Sequence, residues 1–266
     1  MRYVDQMTAN PPPDMPPAIP AATLVIFREQ RPGPPELLFV ERAASMAFAG
    51  GALVFPGGRI DPGDHDLAAR LLHDPAVDRD VAARIAAIRE TIEEVGLAIG
   101  LTPLPTAPEL RILRDALGSG RSLADAIDMA GTAIDPMALE YFARWRPAHV
   151  HARIFDTRFY LVRLPAEMPD PVVDGTENSR LLWATAQQIL DDADAGRAQI
   201  IFPTRRNLER LARFADFDAA VADARRHPVR TVTPWSETHE GEGYLCIPDD
   251  LGYPITRERL SSAVRG

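Results

Sequence analysis

Three glutamates, Glu90, Glu93 and Glu94, stand at i, i+3 and i+4 in the stretch Arg89-Glu90-Thr91-Ile92-Glu93-Glu94-Val95-Gly96-Leu97. On a helix, residues so spaced are neighbours on one face, with Cβ atoms roughly 5–6 Å apart. Carboxylates that close repel one another, and an isolated helix gains nothing from them. A hard cation resolves the conflict. Mg²⁺ and Mn²⁺ take carboxylate, water and phosphate oxygens, and Mg²⁺ commonly completes its shell with substrate phosphate. A solvated acidic face is the plainer account of a bare E-x-x-E-E. The flanks tip the balance, because Phe55-Pro56-Gly57-Gly58-Arg59-Ile60-Asp61-Pro62-Gly63-Asp64 comes before the glutamates and Gly96 comes directly after Val95.

The glutamates need a helix to hold them. Val81, Ile85, Ile88, Ile92 and Val95 recur at spacings of four, three, four and three, which predicts a helix over 81–95 with an apolar stripe opposite the acids. Asp80 is placed to cap its start and Gly96 to end it in a left-handed residue. Upstream, Thr23–Phe27, Leu37–Val40 and Ala52–Phe55 read as strands, the third leading into a glycine turn. Downstream, helices are expected at 107–117, 122–130 and 136–145, then strands at 154–162 and 180–183. Further helices are expected at 185–195, 205–214 (capped by Thr204) and 217–226, and a late strand at 243–247. Met1 to Pro20 carries Pro11-Pro12-Pro13 and Pro16-Pro17 and reads as a flexible tail. Residues 21–266 are expected to form one domain, α/β with a mixed sheet.

These residues resemble the Nudix hydrolase signature, G-x5-E-x7-R-E-U-x-E-E-x-G-U with U a bulky apolar residue. Gly58 fills the first glycine, Asp64 the first acid and Arg89-Glu90 the R-E pair. Glu93-Glu94 and Gly96-Leu97 close the motif. Asp64 replaces Glu, and Thr91 replaces an aliphatic residue. The larger departure is that 24 residues, His65 to Ile88, stand where the motif has seven, an insertion of 17 in which Leu67–Leu72 looks like a short helix. The interrupted box, Trp145-x-Pro147, Phe155–Phe159 and Phe202-Pro203-Thr204 resemble the subgroup that includes the peroxisomal coenzyme A diphosphatase. The resemblance implies an α/β/α sandwich with extra helical insertions at about 65–81 and 103–147.

It also implies an activity: metal-dependent hydrolysis of the diphosphate in a nucleoside diphosphate joined to another group. Coenzyme A or acyl-CoA leads; ADP-ribose, NADH and dinucleoside polyphosphates are alternatives. A Nudix-fold module that senses a nucleotide without cutting it is the other class. By the resemblance, Glu90, Glu93 and Glu94 hold Mg²⁺ or Mn²⁺, and Arg89 orients the loop by pairing with Asp64. Glu93 and Glu177 are both candidates for the general base. Arg42, Gly57, Gly58 and Arg59 are candidates for binding substrate; Gly57 and Gly58 allow a close backbone approach that a side chain would block.

Composition narrows the classes. The net charge of −9 argues against nonspecific binding to nucleic acid or to an anionic membrane. All 29 basic residues are arginine, so a Schiff-base lysine mechanism is excluded and phosphate must be met by Arg forks or backbone N–H groups. No apolar run reaches membrane-span length. The single Cys246 fits a reducing cytoplasm, the expected location. The expected partner is a small nucleotide diphosphate, with a homodimer left open. No G-x-S-x-G elbow, Walker loop or dinucleotide fingerprint occurs.

Overall fold

The computed structural model describes residues 17–29, 33–44, 49–71, 75–147, 154–173 and 178–263. Its organising strand is β1 (Ile19–Arg28), whose alternating side chains feed two cores. Ala22, Leu24 and Ile26 face one core, and Val25 and Phe27 face the other. That period-two split marks a sheet buried on both sides. One edge of β1 pairs in parallel with β8 (Phe155–Arg163) over nine residues. The other edge is shared, and this sharing shapes the site. Near its end, β1 pairs antiparallel with β2 (Glu36–Arg42); near its start, it pairs with β4 (Gly57–Arg59). Between the two, β3 (Leu53–Val54) pairs with the far end of β2. The segment 53–59 is thus a wedge between diverging strands.

On the outer edge of β2 lies β9 (Asn178–Thr185), and beyond β8 lie β7 (Glu140–Trp145) and the short β10 (Thr231–Val232). A separate pair joins β5 (Leu101–Thr102) to β6 (Ala133–Ile134). The C-terminal strands β11 (Trp235–His239), β12 (Glu242–Cys246) and β13 (Arg257–Arg259) form a small antiparallel sheet.

Helices cover both faces of the large sheet. On one lie α1 (Pro62–Leu71), α2 (Pro75–Val95), α3 (Ala107–Gly118) and α4 (Leu123–Ala130), packed through Ile85, Ile88, Ile92, Leu113 and Ile127. On the other lie α5 (Ala186–Asp194), α6 (Phe202–Leu211) and α7 (Phe217–Arg226), with Ile189, Leu208, Leu211 and Ala220 buried. The layering is α/β/α, as expected.

Several local expectations are corrected. The helix carrying the glutamates starts at Pro75, so Asp80 is inside it and caps nothing; its carboxylate instead accepts from Arg84 Nε at 2.6 Å and Tyr160 OH at 2.8 Å. Gly57–Arg59 is a strand rather than a turn. The helix expected at 136–145 is a single 3₁₀ turn, Pro136–Ala138, followed by β7. Phe142 and Trp145, three apart and both buried, imitate a helical period, but pairing with β8 wins. Thr204 lies inside α6, which begins after Ile201.

Candidate active site

The wedge and α2 meet at the two glycines. β4 runs along β1 with Ala22 opposite Gly58 and Thr23 opposite Gly57, so α2 packs directly over glycine backbone. A Cβ on Gly58 would fall 2.4 Å from the carboxyl carbon of Glu90, and one on Gly57 would fall 2.3 Å from the Ala22 carbonyl oxygen. The first glycine therefore leaves room for an acid, and the second leaves room for a strand. The N–H of Gly57 donates to Glu94 Oε2 at 3.0 Å, which fixes that carboxylate against the loop.

Arg89 ties the acids together. Its Nε and Nη2 donate to Oδ1 and Oδ2 of the buried Asp64 at 3.1 and 3.0 Å. Nη1 donates to Glu90 Oε1 at 2.9 Å and Glu93 Oε2 at 3.0 Å, and Nη2 also reaches the Arg59 carbonyl at 2.8 Å. One planar guanidinium thus holds α1, α2 and the glycine loop in register. Burial opposes its charge, but the Asp64 hydrogen bond and the charges of Glu90, Asp64 and Glu93 outweigh that and raise its pKa. Asp64 is itself placed by the turn that opens α1, where it accepts the Asp61 N–H at 2.8 Å. Thr91, at a position expected to be aliphatic, hides its hydroxyl on the Ala87 carbonyl at 2.7 Å.

The electrostatics favour a cation. Burial pushes the Glu90 carboxyl up to about 8; Arg89 pulls it down, and Glu93 and Glu94 push it further up. Burial likewise raises Glu93 against the pull of Arg89. A desolvated acid beside two others is held in its charged form by added positive charge. In the described residues no three acids or histidines stand converged as a ligand set: Glu90 and Glu93 turn to Arg89, and Glu94 turns to Gly57. The donor chemistry nonetheless suits a hard divalent ion, because three carboxylates share one helix face over a loop with no Cβ at Gly58.

Not every candidate joins this cluster. Arg59 contributes its carbonyl, and its side chain is exposed. Arg42 ends β2, hydrogen-bonded through its backbone to Ala52 and Gly51. Glu177 lies outside the described residues. Nothing in the sequence signalled Arg114, whose Nη2 donates to the Glu93 carbonyl at 3.1 Å and so meets the C-terminal end of α2. A cavity of about 460 Å³, bordered by Glu41, Leu53, Arg180 and Gln199, sits at the far ends of β2 and β9. Glu41 and Leu53 pair there on the face turned away from α2, so it is separate from the glutamates.

A mixed sheet between helix layers, with a glycine loop under three glutamates and an arginine clasp, goes with a chain that is similar in sequence and in fold to the Nudix hydrolase superfamily. Members of it generally use divalent metals. Among its relatives, a putative nudix hydrolase 7 of Caenorhabditis elegans is 26% identical over 86% of this chain and 73% of its own length. The acyl-coenzyme A diphosphatase NUDT19 of Gallus gallus is 26% identical over 69% of this chain, and the match spans 62% of that protein. A solved Nudix hydrolase from Alicyclobacillus acidocaldarius superposes with a TM-score of 0.67 at 29% identity, covering 78% of this chain and 97% of its own. No family model matches the chain. Among the described residues, no helix is long and apolar enough to cross a membrane.

Proposed function

We propose that this hydrolase cleaves the diphosphate of a nucleotide conjugate, with coenzyme A or an acyl-CoA as substrate. The observation that carries the reaction type is the fit of Glu90 against Gly58, which fixes a carboxylate where a side chain on the loop would displace it. The substrate class is supported by the named activity of the chicken relative. Glu90, Glu93 and Glu94 would hold Mg²⁺ or Mn²⁺. When bound, such an ion neutralises diphosphate charge and makes water a better nucleophile. Gly57 and Gly58 make room for the central strand and for Glu90, so their part in this reading is to seat the acid rather than to touch the substrate. Arg89 holds Glu90 and Glu93 in place through Asp64, which makes it a positioning residue. Glu93, already raised by burial, is the described candidate for accepting a proton from water. Residues 21–266 act as one catalytic domain in this reading.

The test is a panel of coenzyme A, acyl-CoA, ADP-ribose, NADH and a dinucleoside polyphosphate, with Mg²⁺ or Mn²⁺ and with excess chelator. Coenzyme A turnover should be lost in chelator. Glu94→Gln should lower kcat by at least ~100-fold. Its amide oxygen can still accept the Gly57 N–H, so the fold should persist. Undiminished turnover in chelator, or in Glu94→Gln, would overturn the metal-assisted reading.

A further inference from the structure

Asn178 opens β9 with its side chain buried at 1% exposure. Among the described residues, neither its carbonyl oxygen nor its amide nitrogen has a hydrogen-bond partner. Buried polar side chains are nearly always paired, because an unpaired one is costly. An apolar side chain of the same size would avoid that cost.

The strand is also built to aim this side chain. β9 and β2 keep regular antiparallel register from Glu36↔Thr185 to Glu41↔Arg180; the pairing then skips Ser179, so Arg42 faces Asn178. The Ser179 hydroxyl donates to the Glu41 carbonyl at 3.2 Å and steadies the bulge. A one-residue bulge sends the residues beyond it to the opposite face. Without it, Asn178 would share the face of Leu182 and Ala184, on the α6 side. With it, Asn178 lies across from Arg42 on the face of Val40, Leu181 and Trp183, where α2 packs. β9 stands two strands, about 10 Å, from the wedge that carries Gly57 and Gly58. That offset suits a group attached to the diphosphate better than the diphosphate itself.

We propose that Asn178 is a specificity-determining residue whose carboxamide hydrogen-bonds a paired donor–acceptor edge of the substrate. The inference rests on the diphosphatase reading. A carboxamide presents an acceptor oxygen beside an NH₂ donor. It matches the amino and ring-nitrogen edge of adenine, or a secondary amide such as those of a pantetheine arm. Because folding has already stripped water from this amide, a ligand bond there meets no further desolvation on the protein side. A site built to hydrogen-bond its substrate rejects analogues that lack the matching groups. Entry parts the groups packed over the amide, so the contact forms by induced fit.

The test compares wild type, Asn178→Leu and Asn178→Asp on coenzyme A and ADP-ribose, with melting temperatures alongside. Asn178→Leu should melt at or above wild type, since it removes an orphaned amide, yet lose at least tenfold in kcat/KM, chiefly through KM. Asn178→Asp keeps the shape, removes the donor and should lose as much. Equal losses on both substrates place adenine against Asn178, and a loss on coenzyme A alone places the pantetheine amides there. If both variants stay within twofold of wild type in kcat/KM, the proposal is overturned and Asn178 is structural. If wild type cleaves neither conjugate, the diphosphatase reading fails separately, and the contact is judged by binding. The same nucleotides should then raise the melting temperature of wild type saturably and that of Asn178→Leu by less than half as much. No shift, or an equal one, overturns the contact.

Discussion

At the scale of single residues, two adjacent glycines make opposite predictions. An added Cβ on Gly58 meets only the far end of the Glu90 side chain, which can swing away at little expense to the fold. What cannot survive the swing is the position of that carboxylate. Gly58→Ala should therefore cut kcat/KM by at least ~100-fold if Glu90 is part of the machinery, while shifting stability by less than about 1 kcal/mol. An added Cβ on Gly57 meets the Ala22 carbonyl oxygen and the Thr23 Cα, both backbone atoms of the central strand. Gly57→Ala should accordingly destabilise by about 1–3 kcal/mol, as other overpacked sites do. Steady-state kinetics and urea unfolding of the two variants check both statements; a stable, fully active Gly58→Ala would remove Glu90 from the site. The types and order of these residues were legible in the sequence because the acids and glycines sit in a compact pattern. The orphaned amide of Asn178 was not, since its face depends on a bulge one residue away that no local pattern announces.

At the scale of elements, the insertion between Asp64 and Arg89 is absorbed by a helical hairpin. α1 packs along α2, and the added length lies in that pair rather than between the partners, so residues 25 apart in sequence meet at 3.0 Å. The acid and the arginine were legible, but the start of α2 was not. Asp80 looks like a cap by residue type, yet Arg84, four residues along the same helix, and Tyr160 on β8 claim its carboxylate. β7 was misread for a related reason: Pro136 suits the first turn of a helix, whereas β8 offers a partner edge that a local reading cannot see. The clasp carries its own prediction. Asp64 is 1% exposed, and removing it leaves Arg89 buried beside Glu90 and Glu93 without its bidentate partner. Asp64→Ala should destabilise by about 3–5 kcal/mol, the range for breaking a buried ion pair from one side. Chemical denaturation measures it, and a change below about 1 kcal/mol would show that the hairpin does not depend on the clasp.

At the scale of the whole molecule, the C-terminal sheet is held to the catalytic body through buried charge. Arg206 on α6 donates to Glu209 at 2.8 Å and to Glu258 on β13 at 2.9 Å. Nearby, Tyr253, Trp145 and Asn207 share buried hydrogen bonds of 3.0 to 3.2 Å that join the same C-terminal segment to β7 and α6. None of this was legible in the sequence, because charged residues on an amphipathic helix read as solvated and their burial is decided by a segment nearly fifty residues away.

Burial pushes the Glu209 carboxyl up to about 7, against the pull of Arg206 and Arg205 and with added repulsion from Glu258 and Asp194. Burial also lowers the pKa of Arg206, so both shifts indicate that desolvation opposes the charged forms of this pair. The consequence for stability has a definite sign. Between the ordinary glutamate value of 4.5 and about 7, the folded protein holds a proton on Glu209 that the unfolded chain has released. Stability attributable to this group is therefore fully present below about 4.5 and declines as pH rises to about 7. Glu90 and Glu93, also raised, act in the same direction, so the signal must be read as a difference between variants. Glu209→Gln, which cannot ionise, should be more stable than wild type at pH 8 by about 1–3 kcal/mol. Its advantage should shrink toward zero near pH 5. Urea unfolding of both proteins at intervals from pH 5 to 8 measures that difference. A gap that does not change with pH would mean that Glu209 titrates alike in folded and unfolded chains, and the charge network would then hold the C-terminal sheet without responding to protons.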